Sequence, residues 1–164
     1  MSSRAGAAPA WARSGVLLIV PAMAITFAAW PYLPAGYQAF DRGVPVWLVL
    51  AETALRVAVL GLAALSLVGR RGEVPAAGWW AYGIGLLLYV GSYLAQVFLP
   101  HSTWSRSAVG FAAPAWTTAF WLLGVGLVTR PWPALPWIRL AYLPAAAAFV
   151  VVHATHAFLA HAAW

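Results

Sequence analysis

Long apolar runs alternate along the chain with short segments rich in Pro, Gly, Arg and aromatic residues. Residues 45–68 read PVWLVLAETALRVAVLGLAALSLV, and crossing a bilayer as a helix takes about 20 apolar residues. Four other stretches have the same character. The pattern predicts helices at about 14–32, 45–68, 79–99, 108–129 and 138–162. The segments between them, PYLPAGYQAFDRGV, GRRGEVPAAG, PHSTWSRS and RPWPALPW, carry turn signals. Pro21 falls inside the first stretch and predicts a kink of the kind membrane helices tolerate. The expected architecture is an all-α integral membrane protein: a five-transmembrane-helix bundle, with residues 1–164 forming a single membrane domain.

Composition supports the same class. The chain is 64% hydrophobic and 7% charged, against about 25% charged in soluble domains, so it cannot cover a water-facing surface. All nine basic residues are Arg, and the formal net charge is +6. With five spans, Arg4, Arg13, Arg70, Arg71, Arg130 and Arg139 fall on one side and Arg42 and Arg106 on the other, with Arg56 inside the second span. The arginine-rich side is expected to be cytoplasmic, which puts the N-terminus in the cytoplasm and the C-terminus outside a cell inner membrane. The positive charge is thus a topology signal, and no soluble basic patch is left to bind nucleic acid. The Arg-only, Ala-rich composition hints at a GC-rich bacterial genome.

The lack of cysteine excludes disulfides, thiolate catalysis and thiolate metal sites. The first 30 residues carry the arginines and apolar core of a signal peptide. Ala28 and Ala29 run into Trp30 and Pro31 without a good small-x-small cleavage site, so the segment is expected to stay as the first span. Trp30, Trp79, Trp80, Trp132, Trp137 and Trp164 sit at predicted span ends, where indole rings anchor at the membrane interface.

The candidate chemistry starts from Glu52 and Arg56, four residues apart inside the second span and therefore on one helix face. A charge in hydrocarbon costs at least about 2.5–3.5 kcal/mol, so such groups face a protein interior and have a partner or a task. At about 1.5 Å per residue, Glu52 lies roughly 10 Å below the outer end of its helix. Helix three places Tyr89, Ser92, Tyr93 and Gln96 on one face of its outer half, and helix four does the same with Pro114, Thr117, Thr118 and Trp121. Helix five adds His153 and His156 on one face, with His161 near its end. Hydrophilic side chains thus crowd one leaflet. The expected result is an outward-facing polar pocket roofed by PYLPAGYQAFDRG and PHSTWSRS, with Tyr37, Asp41, Arg42, His101, Ser102, Trp104 and Arg106 at its mouth.

Each feature also has a plain structural reading. Glu52–Arg56 serves equally as an ion pair locking helix two. The Tyr89 stripe serves as interhelical hydrogen bonding, and Thr117 and Thr118 bond back to their own helix. Gly83, Gly85, Gly91, Gly124 and Gly126 permit close helix packing.

Read as function, Glu52, His153, His156 and Arg56 form a catalytic set. Tyr89, Ser92, Tyr93, Gln96, Trp104, Trp116, Thr117 and Trp121 form a substrate-binding set for a membrane lipid or apolar small molecule. Glu52 and a histidine would exchange protons while Arg56 holds an anionic group or developing negative charge. Isomerisation, cyclisation and hydrolysis all fit, and the sequence does not choose among them. Two alternatives stay open: a non-catalytic subunit or assembly factor of a larger membrane complex, and a His-ligated metal or haem protein built on His153-Ala-Thr-His156 with Glu52, His101 or His161. No cofactor is specified, and a homo-oligomer is compatible with the small-residue faces. No Walker loop, GxGxxG, HExxH, GxSxG or CAAX box is present. In length, span number and tryptophan content the chain resembles the translocator-protein family of sterol and porphyrin binders. The resemblance is one of composition, that family's Trp- and Pro-containing motifs find no residue-by-residue counterpart, and no family is assigned.

Overall fold

A computed structural model describes residues 13–70 and 72–164. Its principal helices are α1 (Val20–Ala29), α2 (Val46–Ala64), α3 (Ala76–Phe98), α4 (Ala113–Val128) and α5 (Ile138–Ala162). Four helical stretches, Gly15–Tyr32, Val46–Ala64, Ala76–Phe98 and Ile138–Ala162, are long and apolar enough to cross a membrane. The fifth, α4, is apolar but has only 16 residues.

Three boundaries depart from the sequence pattern for local reasons. The predicted helix 108–129 is broken at Ala112 into a turn, Ala108–Phe111, followed by α4. Pro114 has no N–H and its ring excludes the carbonyl four residues back, so it sits in the first turn of a new helix. That carbonyl, on Gly110, accepts a hydrogen bond from Gln96 Nε2 at 2.7 Å instead. Pro21 likewise does not kink a continuous helix. A 3₁₀ turn at Gly15–Leu18 precedes it, and α1 begins at Val20. Helix α2 stops at Ala64 rather than Val68. The Ser66 hydroxyl donates to the Ala63 carbonyl at 2.8 Å and that of Ser14 to the Ala64 carbonyl at 3.0 Å, which satisfies carbonyls left open at the helix end. The chain then forms β1 (Ser66–Val68), paired antiparallel with β2 (Thr129–Pro131), and Ser14 bridges to Leu67. Over the described residues the fold is therefore helical with one short two-stranded ribbon.

The most extensive packing is between α3 and α4. A Cβ on Gly85 would overlap the Trp121 backbone, and one on Gly124 would overlap the Tyr82 backbone, so this pair approaches backbone to backbone. Gly126 lies against the side chains of Leu143 and Tyr142, whereas Gly83 and Gly91 face open space and are not packing positions. Helix α5 packs on both α2 and α4, through the small buried residues Ala146, Ala157 and Ala160, and α1 packs on α3. Helices α1 and α2 do not pack along their lengths; α2 meets the first segment through the Gly15–Leu18 turn. The order around the bundle is α1, α3, α4, α5, α2, with the circuit left open between α2 and α1.

The ribbon end gathers Arg13, Arg70, Arg130 and Arg139, while Arg42 and Arg106 lie at the opposite, loop end. Arg4 and Arg71 lie outside the described residues. Glu73 accepts from the Arg70 backbone N–H at 3.0 Å and lies 3.3 Å from Arg130 Nη1 and 3.9 Å from Arg13 Nη2. The Arg70 N–H first, and then the two guanidinium groups, hold its carboxyl below the usual range. A carboxyl depressed in the folded state contributes stability in full above its unfolded value of about 4.3, and loses it as pH falls through the lower folded value. Wild type is therefore expected to melt above Glu73→Gln at neutral pH, with the gap closing as the buffer is taken well below pH ~4. Parallel thermal melts across pH check this, and a gap that stays constant excludes it.

Candidate functional site

Between the five helices lies a cavity of about 710 Å³, within the 300–1,000 Å³ range of pockets that bury a small ligand. Around Glu52 its wall is polar; toward the ribbon end it is apolar, formed by Ile19, Met23, Val59, Leu60 and Leu122. Asp41 and Arg42 stand at the loop end.

The polar wall is set by two helix faces. Glu52 and Arg56 sit one turn apart on α2, and His153 and His156 three residues apart on α5. Because α2 packs on α5, the two faces meet. The Glu52 side chain is 5% exposed and is the hub. Its Oε1 pairs with Arg56 Nη2, and His156 Nδ1 donates to Oε2 at 2.5 Å. His156 is fully buried beneath the Phe40 ring, with centroids 4.4 Å apart. Its Nε2 faces the Phe40 carbonyl at 3.2 Å and Asp41 Oδ1 at 3.3 Å. Both ring nitrogens thus face acceptors, and the ring is held on both sides.

His153 is held differently. Its ring stacks on Phe149 at 5.2 Å and 11°, and the Arg56 guanidinium lies 5.9 Å from that same Phe149 ring. His153 Nδ1 is 3.1 Å from Glu52 Oε1 but out of line for a hydrogen bond, so it is buried without a partner. Its Nε2 has no hydrogen-bond partner among the described residues, and the residue lines the cavity. The contrast assigns different tasks. Both oxygens of Glu52 are already engaged, and His156 is enclosed on both sides. His153 is the imidazole with an open nitrogen, and Arg56, bonded through Nη2 alone among the described residues and 47% exposed, is the cation with open donors.

The predicted substrate-binding set divides. Tyr89, Tyr93 and Trp121 line the cavity. The Tyr89 hydroxyl donates at 2.7 Å to Thr26, whose own hydroxyl donates to the Ala22 carbonyl. Ser92, Gln96, Trp104, Trp116 and Thr117 do not line it. Ser92 donates to the Tyr89 carbonyl and Thr117 to the Ala113 carbonyl, both within their own helices. Gln96 braces the break before α4, Trp116 Nε1 donates to the Val109 carbonyl at 3.1 Å, and Trp104 is about half-exposed. Thr118 lines the cavity but also donates to its own helix, at Pro114.

The roof is formed by one loop rather than two. Residues 37–42 line the cavity, while His101, Ser102, Trp104 and Arg106 do not. Ser102 caps the Thr103–Arg106 turn, and His161 Nε2 lies 3.1 Å from the Arg106 carbonyl, away from Glu52. Tyr37 donates to the Phe111 carbonyl, tying the roof to the start of α4, and burial pushes its phenol well above the ordinary range. Sequence pattern alone missed Phe149, Thr26 and the Phe40 carbonyl. Phe149 was legible as the i−4 neighbour of His153; a backbone carbonyl leaves no sequence signal.

Among the described residues no group of three or more His, Asp or Glu side chains is arranged to hold a metal ion. Comparison with family models, curated proteins and solved structures returns no match to the chain.

Proposed function

We propose that this chain is a five-span protein of a bacterial inner membrane, with its ribbon end cytoplasmic, that binds an apolar or amphipathic small molecule inside the bundle. In this reading α4 also spans and brings the count to five, short because the loop-end turn completes its crossing. The single observation that carries the proposal is the cavity: a largely apolar chamber with one cluster of ionisable side chains set into its wall. Large apolar side chains on the outer faces, among them Leu50, Val57, Leu87 and Val151, suit contact with lipid. His153 Nε2 is the position at which a proton is exchanged with the bound molecule, with the ring held in place by stacking on Phe149 and the Glu52 carboxylate beside it rather than acting directly.

The test is extraction of the molecule. Protein purified in mild detergent and opened with organic solvent is expected to release one defined apolar species in near-stoichiometric amount, seen by mass spectrometry. Release of only the bulk lipids, in the proportions of the membrane, overturns the proposal.

A further inference from the structure

Resting on that binding reading, we infer that the ligand is a single-chain amphiphile with an anionic oxygen head group, such as a carboxylate, and that it enters sideways from the bilayer between α1 and α2.

The charge inventory of the chamber points to the head group. One buried carboxylate, Glu52, faces three basic side chains, Arg56, His153 and His156. Asp41 stands at the rim with its side chain 71% exposed. Both Glu52 oxygens are engaged, so among the described residues no acceptor is bonded to the open donors of Arg56 or to His153 Nε2. Donors left open in a low-dielectric wall select an acceptor, and a charged one forms the stronger hydrogen bonds. An anionic head at Arg56 completes the set, with its chain against apolar wall in either direction.

The route follows from the open side of the bundle. Phe27 of α1 and Thr53 of α2 both line the cavity, yet Phe27 is 74% exposed on the outer surface and Thr53 is exposed too. The chamber therefore reaches the outer face of the protein along this seam, where α1 and α2 do not pack. Met23 and Leu60 continue the seam toward the ribbon end and give it an apolar floor. Lateral access keeps the acyl chain out of water throughout, a path that an opening at the loop end alone would not provide.

The chain has no cysteine, so Thr53→Cys creates a unique thiol at the seam. In phosphatidylcholine nanodiscs, hexadecanoic acid, hexadecan-1-ol and hexadecyltrimethylammonium are compared by equilibrium binding and by protection of that thiol from a membrane-permeant maleimide. The acid is expected to bind about tenfold or more tightly than the alcohol, the cation weakest, and bound acid to protect the thiol. Arg56→Gln is expected to bring the acid-to-alcohol ratio near one and Arg56→Lys to keep the preference. Equal binding of acid and alcohol by the wild type overturns the head-group assignment while leaving the binding reading intact. Binding without protection overturns the route. Absence of binding by all three probes overturns both this inference and the reading beneath it.

Discussion

Glu52→Leu is expected to destabilise the protein more than any other substitution in the cavity wall. Removing one member of a buried ion pair typically costs about 3–5 kcal/mol, because the partners keep their charges and lose their acceptor. Here the lower end applies. The Arg56 side chain is 47% exposed and lines the chamber, so water there can take up part of its charge. Glu52→Gln keeps the volume and one acceptor oxygen, so it should fall between Glu52→Leu and wild type. His153→Ala should behave in the opposite way. The ring is partly exposed and hydrogen-bonds nothing, so its loss should cost about 1 kcal/mol, the ordinary value for a point change, while ligand binding and proton exchange fail. Thermal melts in detergent, read beside ligand retention, separate the two. Equal melting of Glu52→Leu and His153→Ala would remove Glu52 from the centre of the site.

Gly124→Leu should abolish the folded bundle altogether. A Cβ at this position overlaps the Tyr82 main chain, which has no rotamer by which to move aside. Overpacking usually costs about 1–3 kcal/mol when side chains can shift. A clash with backbone in the most extensive helix contact of the molecule should exceed that range. The consequence reaches the site, because Tyr89 and Tyr93 on α3 and Trp121 on α4 line the cavity together. Gly83→Leu, on α3 next to Tyr82 but facing away from α4, should be tolerated because nothing lies within 4 Å of the added Cβ. Size-exclusion profiles of the two variants, run side by side, give the answer; a monodisperse Gly124→Leu protein would mean that α3 and α4 can separate without loss of the fold.

Much of the site was legible because helix spacing is rigid. Four residues bring Glu52 and Arg56 onto one face, and three do the same for His153 and His156. That the two faces meet was not legible, since spacing carries no information about which helices are neighbours. The stripe Tyr89, Ser92, Tyr93, Gln96 divides between two surroundings. A helical stripe is about 100° or more wide, so its edges face different partners. Tyr89 and Tyr93 face the chamber, while Gln96 turns to the broken start of α4. The break itself was hidden because the apolar pattern runs unbroken through Ala112, and only the proline two residues later marks it. The ribbon was hidden for a related reason: Ser66–Val68 is as apolar as the helix it ends, and its partner strand lies more than 60 residues away, from Thr129.

That ribbon fastens α2 to α4, and its bridge to Ser14 ties in the segment leading to α1. The roof holds the opposite end, through Tyr37 to Phe111 and Phe40 to His156, so the space between α1 and α2 is a slit fastened at both ends. Any widening bows it open between the two fastenings, around Phe27 and Thr53, and least at Ile19.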